Sequence, residues 1–297
     1  MIEDVAGQGG SPPASTPRTP PSTGTWRPVL ALRSVRVAMA LAGALGIALA
    51  IVPLLGVLGV ESALLLGVAL PPLGALCGAR VALAARAERI ASGALLLQRA
   101  LAAGLLVLLV PLLVLLLNAL RVRTCAPLEG LTFLALGPLS GISLAAAVGA
   151  CAGALPLRPW LATALALLVP LADIARAIYD FLATPAVFAY GHFFGYFPGS
   201  LYDELVGVPW QLLTLRVFSL AAFAALCMLL VAHYDPGASR LRAAPRSGRA
   251  AAWLVTLPCA IAFLLGWLNA AQLGHRASSQ RIAEVLGGRA QSERCEL

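Results

Sequence analysis

The sequence contains very little charge and no lysine. Only 11% of its 297 residues are charged and 60% are hydrophobic, whereas soluble domains are roughly a quarter charged. A soluble core could not hide this much apolar surface, which excludes an ordinary soluble domain and indicates a membrane protein. All 21 cations are arginines, and with the excess of alanine and leucine this is typical of a GC-rich bacterial genome. The arginines flank apolar segments and form no basic stripe, so nucleic-acid binding is excluded.

The sequence also lacks the motifs of common catalytic and metal sites. Its six cysteines include no C-x-x-C pair, and neither H-E-x-x-H nor a P-loop motif occurs. None of the three histidines lies inside a span, and the run from Gly137 to Gly141 has Pro138 where rhomboid proteases have glycine. We therefore predict no catalytic residue, no metal and no cofactor. Enzymatic activity stays open, with a non-enzymatic protein favoured.

Apolar segments of about 20 residues follow one another along the chain, at 37–58, 62–84, 101–120, 131–155, 160–181, 211–233 and 251–273. A helix needs about 20 residues to cross a bilayer core of roughly 30 Å. We therefore predict an all-α fold, a polytopic transmembrane helical bundle of about seven spans. Residues 1–28, rich in Pro, Ser and Thr, are predicted to be a disordered cytoplasmic tail. Residues 29–273 form the predicted transmembrane domain, and residues 274–297 a polar C-terminal tail.

Some of these segments have unusual compositions. The pair Pro71-Pro72 makes the second segment either a broken helix or a re-entrant hairpin, because proline removes a backbone donor and obstructs the preceding turn. The stretch between Arg80 and Arg99 is typical of an amphipathic surface helix. The fourth segment is rich in glycine and alanine, which let helices approach closely, so we expect it at the centre of the bundle.

The arginines are distributed unevenly between the two faces of the predicted bundle. One face carries thirteen of them, whereas the short loops of the other carry only Arg121 and Arg123. By the positive-inside rule, the N-terminus is cytoplasmic and the 181–210 loop lies outside a bacterial inner (cell) membrane. Seven spans also place the C-terminus outside. Cys125 and Cys295 would then share the oxidising side, but we expect no disulfide between them because Cys295 is nearly terminal.

The loop region 179–210 holds ten of the chain's 19 aromatic residues. Aromatic rings with polar edges favour the membrane–water interface, so we predict an anchor that lies flat on the outer leaflet. The alternative is a lid over the bundle that binds a lipid or another substrate. In this loop Ser200 is placed to cap a helix, and Asp203 and Glu204 would lie in its first turn. With His192, these two acids are candidate site residues.

A second candidate cluster lies on the fifth apolar segment. Spacings of three and four place Asp173, Arg176 and Asp180 on one helix face. A lone charge near mid-membrane costs on the order of 3 kcal/mol, so Asp173 should have a partner. Arg216 enters the next segment from the same side, and we predict that it pairs with Asp173. The interpretations are a structural ion pair, which we favour, and a proton or ion pathway.

Two stretches of the sequence carry a resemblance, FGYFPGSLYDE from Phe194 to Glu204 and the tail from Leu286 to Leu297. They resemble segments of uncharacterised multispan membrane proteins of myxobacteria and relatives, and the resemblance covers about a third of the chain. In those proteins the membrane part precedes an outside peptidase-like domain with a zinc-binding motif. The resemblance implies that this chain is the membrane part alone. It carries over no catalytic residue, because the chain contains no metal motif.

Taken together, these patterns favour a multispan inner-membrane protein that anchors or senses, with the lipid bilayer as its partner. The alternative is a transporter or a lipid-handling membrane enzyme, with a lipid or small-molecule ligand at the aromatic loop. A lipid-handling enzyme would turn His192, Asp203 or Glu204 toward a cleft, whereas an anchor would leave them solvated. A transporter would need a polar path from Asp173 to the cytoplasmic side. The oligomeric state is left open.

Overall fold

The computed structural model describes residues 26–88, 90–122, 127–184, 188–199, 207–242, 250–277, 291–292 and 295–296. Within these residues the chain is a bundle of α-helices, which confirms the predicted all-α class. Six of the described helices are long and apolar enough to cross a membrane, and a shorter apolar helix follows them. The chain is therefore a multi-pass membrane protein.

The helices in chain order are α1 (Trp26–Ala31), α2 (Arg33–Ile51), α3 (Val60–Glu88), α4 (Gly93–Ala119), α5 (Pro127–Leu134), α6 (Ser140–Ala154), α7 (Pro159–Ala183), α8 (Trp210–His233) and α9 (Trp253–Leu268). A π-helical turn, Ala135–Leu139, joins α5 and α6 into one span, and a 3₁₀ turn, Ala250–Ala252, precedes α9. Short antiparallel ladders pair β1 (Ala189–Gly191) with β2 (Gly195–Phe197), β3 (Tyr234–Asp235) with β4 (Arg240–Leu241), and β5 (Gln291–Ser292) with β6 (Cys295–Glu296).

The second span is one continuous helix. α3 runs for 29 residues through Pro71 and Pro72, so the predicted break or re-entrant hairpin does not form. Two backbone hydrogen bonds are missing there, because proline has no N–H. Neighbouring helices surround this part of α3, where Leu70 is fully buried and Pro71 is also buried. A proline in a membrane helix is tolerated where the surrounding protein supports it.

The prediction for the stretch between α3 and α4 is wrong, and two helices begin earlier than their apolar segments do. The stretch between Arg80 and Arg99 forms no separate surface helix, because Arg80 belongs to α3 and Arg99 is buried inside α4. The Ser92 hydroxyl oxygen accepts the Leu95 N–H and caps the start of α4, so that helix begins before the apolar segment does. At the N-terminus, residues 26–28 are helical, whereas residues 1–25 of the predicted disordered tail lie outside the described residues.

The helices run between two different ends of the bundle. At the end that carries β1 and β2, called here the hairpin end, the His275 ring after α9 lies 5.7 Å from the Tyr190 ring. At the other end, called the arginine-rich end, the Arg86 guanidinium donates to the carbonyls of Gly153 and Leu155 at 2.8 and 2.7 Å. These bonds satisfy carbonyls that the end of α6 leaves free. Helix α1 packs beside Arg99 at this second end, so the two termini of the bundle lie at opposite ends.

Helix α6 lies at the centre of the bundle, as its composition predicts. It packs against α3, α4, α7 and α8, and 12 of its 15 residues are buried. Its closest neighbour is α3, which runs parallel to it. Gly74 and Gly78 of α3 face the backbone of α6, and Gly149 and Gly153 of α6 face the backbone of α3. Each helix thus carries two glycines four residues apart at the contact, the small-residue pattern that lets membrane helices touch.

The outer surface of the bundle is apolar on several helices. Large aliphatic side chains are at least half exposed on α2, α7, α8 and α9, among them Ile47, Leu168, Val217 and Leu254. Such a surface is unfavourable in water and suits contact with lipid chains. The helices therefore present to the bilayer the surface that a soluble protein would bury.

Candidate functional site

The aromatic loop between α7 and α8 contains a short β-hairpin. The hairpin comprises residues 188–199. Its strands pair Ala189 with Phe197, Tyr190 with Tyr196 and Gly191 with Gly195. The Tyr190 and Tyr196 rings stack across the strands at 4.9 Å, a pair that stabilises a two-stranded ladder. Gly195 has φ of +102°, a left-handed conformation that favours glycine where the turn enters β2.

The tip of the hairpin inserts between helices. The side chains of Phe193 and Phe194 are each 5% exposed, and their backbones lie against Gly141 of α6 and Gly67 of α3. A methyl group at either glycine would overlap the hairpin backbone, so both positions need glycine for this close approach. The predicted anchor lying flat on the leaflet is therefore wrong for these residues. Burying two phenylalanine rings between helices removes as much apolar area from water as an interface would.

The predicted ion pair between Asp173 and Arg216 does not form directly. One peptide group stands between the two charges. Arg216 donates from Nη1 to the carbonyl of His192 at 2.6 Å, and Asp173 accepts the N–H of Phe193 at 3.2 Å. The cation thus faces the negative end of the His192–Phe193 peptide dipole and the carboxylate faces its positive end. The two helices α7 and α8 hold the hairpin through this peptide.

The predicted cluster on α7 is formed by ion pairs within the helix. Arg176 lies 3.0 Å from Asp173 and 2.8 Å from Asp180, as the spacing of three and four residues predicts. Arg276, beyond α9, approaches Asp180 at 3.4 Å and lies over the Trp267 ring at 5.6 Å. The end of α9 is therefore tied to α7. Sequence reasoning missed Arg276, because it lies almost a hundred positions away in the polar tail.

A second contact joins the end of α9 to the start of α8. The Nε2 atom of His275 lies 3.0 Å from both the Gln211 carbonyl and the Thr214 hydroxyl. The Thr214 hydroxyl itself donates to the Gln211 carbonyl at 2.9 Å. Burial lowers the pKa of His275, which favours the neutral ring. This histidine closes the hairpin end on the α8 side.

A large groove opens between the helices below the hairpin. It has a volume of about 890 Å³, within the usual range of roughly 300–1,000 Å³ for small-molecule sites. Between Leu144 and Leu155 of α6 it runs along about 16 Å of helix, at about 1.5 Å per residue. Helices α6 and α8 form its floor, α7 and α9 form its walls, and Phe193 of the hairpin closes one end. Its lining is Leu144, Val148, Cys151, Ala152, Leu155, Leu165, Val169, Ala172, Asp173, Arg176, His192, Phe193, Ala222, Ala225, Leu226, Leu229, Leu241, Ala260, Phe263, Leu264 and Trp267.

The groove is polar at one end and apolar along the rest of its length. Asp173, Arg176 and His192 stand at the hairpin end, and the other lining residues among the described part of the chain are aliphatic, aromatic or cysteine. The groove also opens sideways, since Leu165 of α7 and Leu264 of α9 line it and remain 37% and 52% exposed. Its open side is the surface that faces the bilayer. The shape and polarity are those of a site for an amphiphile.

His192 has a defined position in this polar end. Its Nδ1 atom lies 2.9 Å from the Ser219 hydroxyl, which donates to the Leu215 carbonyl at 2.9 Å. Its ring packs against Phe263 of α9 at 5.0 Å. Burial lowers the pKa of the imidazole to about 4, although the Asp173 carboxylate acts in the opposite direction. The ring is therefore neutral at pH 7. Sequence reasoning found His192 but missed Ser219, which gives no motif.

The structure brings only part of the predicted site together. Asp173, Arg176 and His192 share the groove, Asp180 lies one turn farther along α7, and Arg216 supports the hairpin from α8. Ser200, Asp203 and Glu204 lie outside the described residues, as does Cys125 of the disulfide considered above. The described lining of the groove offers no polar path toward the arginine-rich end, as a transporter would need. His192 does face a cleft, the position that we expected of at least one of His192, Asp203 and Glu204 in a lipid-handling enzyme.

Comparisons with protein-family models, with curated proteins and with solved structures give no match to this chain.

Proposed function

We propose that this multi-pass membrane protein binds an amphiphile in the groove below the hairpin, as a lipid-sensing or lipid-handling site. The observation that carries the proposal is the distribution of polarity along the groove. Three polar side chains stand at one end, and about 16 Å of apolar helix follows. An acyl chain fits the apolar part, and a headgroup fits the polar part. The open side between α7 and α9 gives such a molecule access from the bilayer.

The contacts around the hairpin favour the interpretation of the groove as a specific binding site. The other interpretation is a gap that any lipid could fill. The polar end is preorganised, because Arg176 is paired with two carboxylates and the His192–Phe193 peptide is held from α7 and α8. A site whose polar groups are already in position loses little freedom when the ligand binds. The apolar walls select for a chain, and the polar end selects among headgroups.

Filling the groove tests this proposal. Ala172 of α7 lines the groove, whereas Ala164 of the same helix is exposed and does not line it. Cells supplied with a diazirine-bearing fatty acid label all acyl lipids, and ultraviolet light then fixes bound chains to the protein. We expect cross-links on groove residues that persist through detergent exchange. Ala172→Phe should reduce them about 10-fold, equivalent to ~1.4 kcal/mol, and Ala164→Phe should leave them unchanged. Peptide mapping by mass spectrometry measures both.

The opposite pattern would contradict the proposal. Cross-links spread evenly around the outward faces of α2, α7 and α9, and equal in both variants, would show ordinary boundary lipid. Both substitutions add the same apolar side chain to the same helix. A difference in cross-linking between the two variants therefore reports on the groove. Any effect of the added side chain on membrane insertion is common to both variants.

We also propose that the hairpin end faces outward from a bacterial inner membrane and the arginine-rich end faces the cytoplasm. The excess of arginine at the arginine-rich end over the hairpin end supports this orientation. Alkaline phosphatase fused after Gly274 should be active, and a fluorescent protein that matures only in the cytoplasm should stay dark at the same site. The reverse result would overturn the orientation. The resemblance to the membrane part of peptidase-bearing proteins stays a prediction, which the coding sequence after Leu297 tests.

A further inference from the structure

The polar end of the groove presents an unused hydrogen-bond acceptor. The Ser219 hydroxyl has one hydrogen, which it donates to the Leu215 carbonyl. Its oxygen therefore accepts from Nδ1–H of His192, and the hydrogen-bond network assigns the proton of the neutral ring to Nδ1. The lone pair then lies on Nε2. Among the described residues, the Nε2 atom of His192 has no hydrogen-bond partner. The His192 side chain lines the groove.

The charges that face the groove at this end cancel. Arg176 directs its two terminal nitrogens to Asp173 and Asp180, and one of them also lies 3.4 Å from the Tyr190 carbonyl. Asp173 receives Arg176 on one oxygen and the Phe193 N–H on the other. Burial keeps His192 neutral at pH 7, because its pKa is lowered to about 4. An anionic headgroup would meet the Asp173 carboxylate, and a cationic one would meet guanidinium groups already in position.

We infer that the groove selects an uncharged amphiphile with a hydroxyl headgroup, whose O–H donates a hydrogen bond to Nε2 of His192. This rests on the proposed function of the groove and names the class of its ligand. A diacylglycerol, a long-chain alcohol and a prenol belong to this class. The acyl or prenyl chain lies along the apolar walls.

The geometry of His192 supports selection as well as binding. Ser219 holds one edge of the ring and Phe263 packs against its face at 5.0 Å, so the Nε2 atom has a fixed direction. A hydrogen bond formed in such a water-poor site is stronger than one in water. A site built to receive a hydroxyl also rejects the analogue that lacks it, because the analogue covers the acceptor in the groove and leaves it unpaired.

Three diazirine probes with identical chains test the inference on the purified full-length protein. They are a diacylglycerol with one free hydroxyl, its methyl ether and the corresponding phosphatidic acid. We expect the diacylglycerol to cross-link to groove residues about 10-fold more than either of the other two. The ether has nearly the same shape and lacks only the donor, so this comparison in the wild-type protein needs no variant.

Two matched variants test whether His192 causes the preference for the diacylglycerol over its methyl ether. His192→Phe keeps an aromatic ring against Phe263 but removes the acceptor, and it should cross-link the alcohol and the ether equally. His233→Phe is the control, since His233 lies at the arginine-rich end, bonds the Arg242 carbonyl and does not line the groove. It should retain the full preference for the alcohol.

The possible results distinguish a failure of the hydroxyl selection from a failure of the proposed function of the groove. Equal labelling of the groove by all three probes overturns the hydroxyl selection, while the proposed function stands. Stronger labelling by phosphatidic acid also overturns it and assigns an anion to Arg176. A preference that persists in His192→Phe removes His192 from its role. Absence of groove labelling by every probe overturns the proposed function itself.

Discussion

Replacing Gly78 by alanine should lower the melting temperature of the purified protein, whereas the same change at Gly137 should not. A methyl group at Gly78 would overlap the carbonyl of Ala146 and lie 3.1 Å from the backbone nitrogen of Ala150. These are backbone atoms, so α3 and α6 must separate, and overpacking of this kind costs about 1–3 kcal/mol. At Gly137 the nearest atom would be 3.4 Å away, an ordinary contact. Alanine there should be neutral or gain up to about 1 kcal/mol of helix propensity.

The facing glycine makes this prediction sharper. A methyl group at Gly149 would overlap the carbonyl of Ala75 on α3, at the same level of the helix pair as Gly78. Once one substitution has separated the helices, the second should cost clearly less than it does alone. The four variants are Gly78→Ala, Gly149→Ala, the combination of these two, and Gly137→Ala. Thermal unfolding in detergent, followed by tryptophan fluorescence, measures the melting temperature of each. Strictly additive losses, or an equal loss in Gly137→Ala, would show that the contact is looser than described.

The two charges beside the hairpin, the partly buried Asp173 and the buried Arg216, should respond unequally to neutralisation. Asp173→Asn keeps an oxygen for the Phe193 N–H but leaves Arg216, which is 3% exposed, without a nearby anion. Breaking a direct buried pair costs roughly 3–5 kcal/mol because an uncompensated charge remains, and with one peptide group between these two charges we expect a somewhat smaller loss. Arg216→Met leaves Asp173 with Arg176 and the Phe193 N–H as partners. It loses one hydrogen bond to the His192 carbonyl, worth about 1 kcal/mol.

The Arg216→Met substitution also removes an unfavourable contribution to the stability of the folded protein. The Nε and Nη2 atoms of Arg216 are buried without a hydrogen-bond partner among the described residues, and methionine has no such donors. We therefore expect the double variant Asp173→Asn/Arg216→Met to be more stable than Asp173→Asn alone. Denaturation of each variant in the same detergent gives the coupling free energy between the two positions. If Arg216→Met were the more damaging single change, the peptide-mediated arrangement would be refuted.

Local properties of the sequence determined the class of this protein and the position of most spans. Hydropathy and segment length act within about 20 residues, so they predict helices without any knowledge of neighbours. The spacing of Asp173, Arg176 and Asp180 likewise predicted their ion pairs, because residues three and four apart share a helix face. The glycine and alanine content of α6 predicted its central position for the same reason, since small residues allow close packing whichever helix is the partner.

Only the tertiary structure decided which surfaces meet. Hydropathy is the same for a phenylalanine at the membrane interface and one between helices, so the insertion of Phe193 and Phe194 depended on Gly67 and Gly141, far away in the chain. The direct pair of Arg216 with Asp173 was predicted from the depth of both residues in their helices, but a peptide group of the hairpin occupies the space between the two charges. The groove is a space left among four helices and the hairpin. Its existence follows from their packing, which no single segment of the sequence contains.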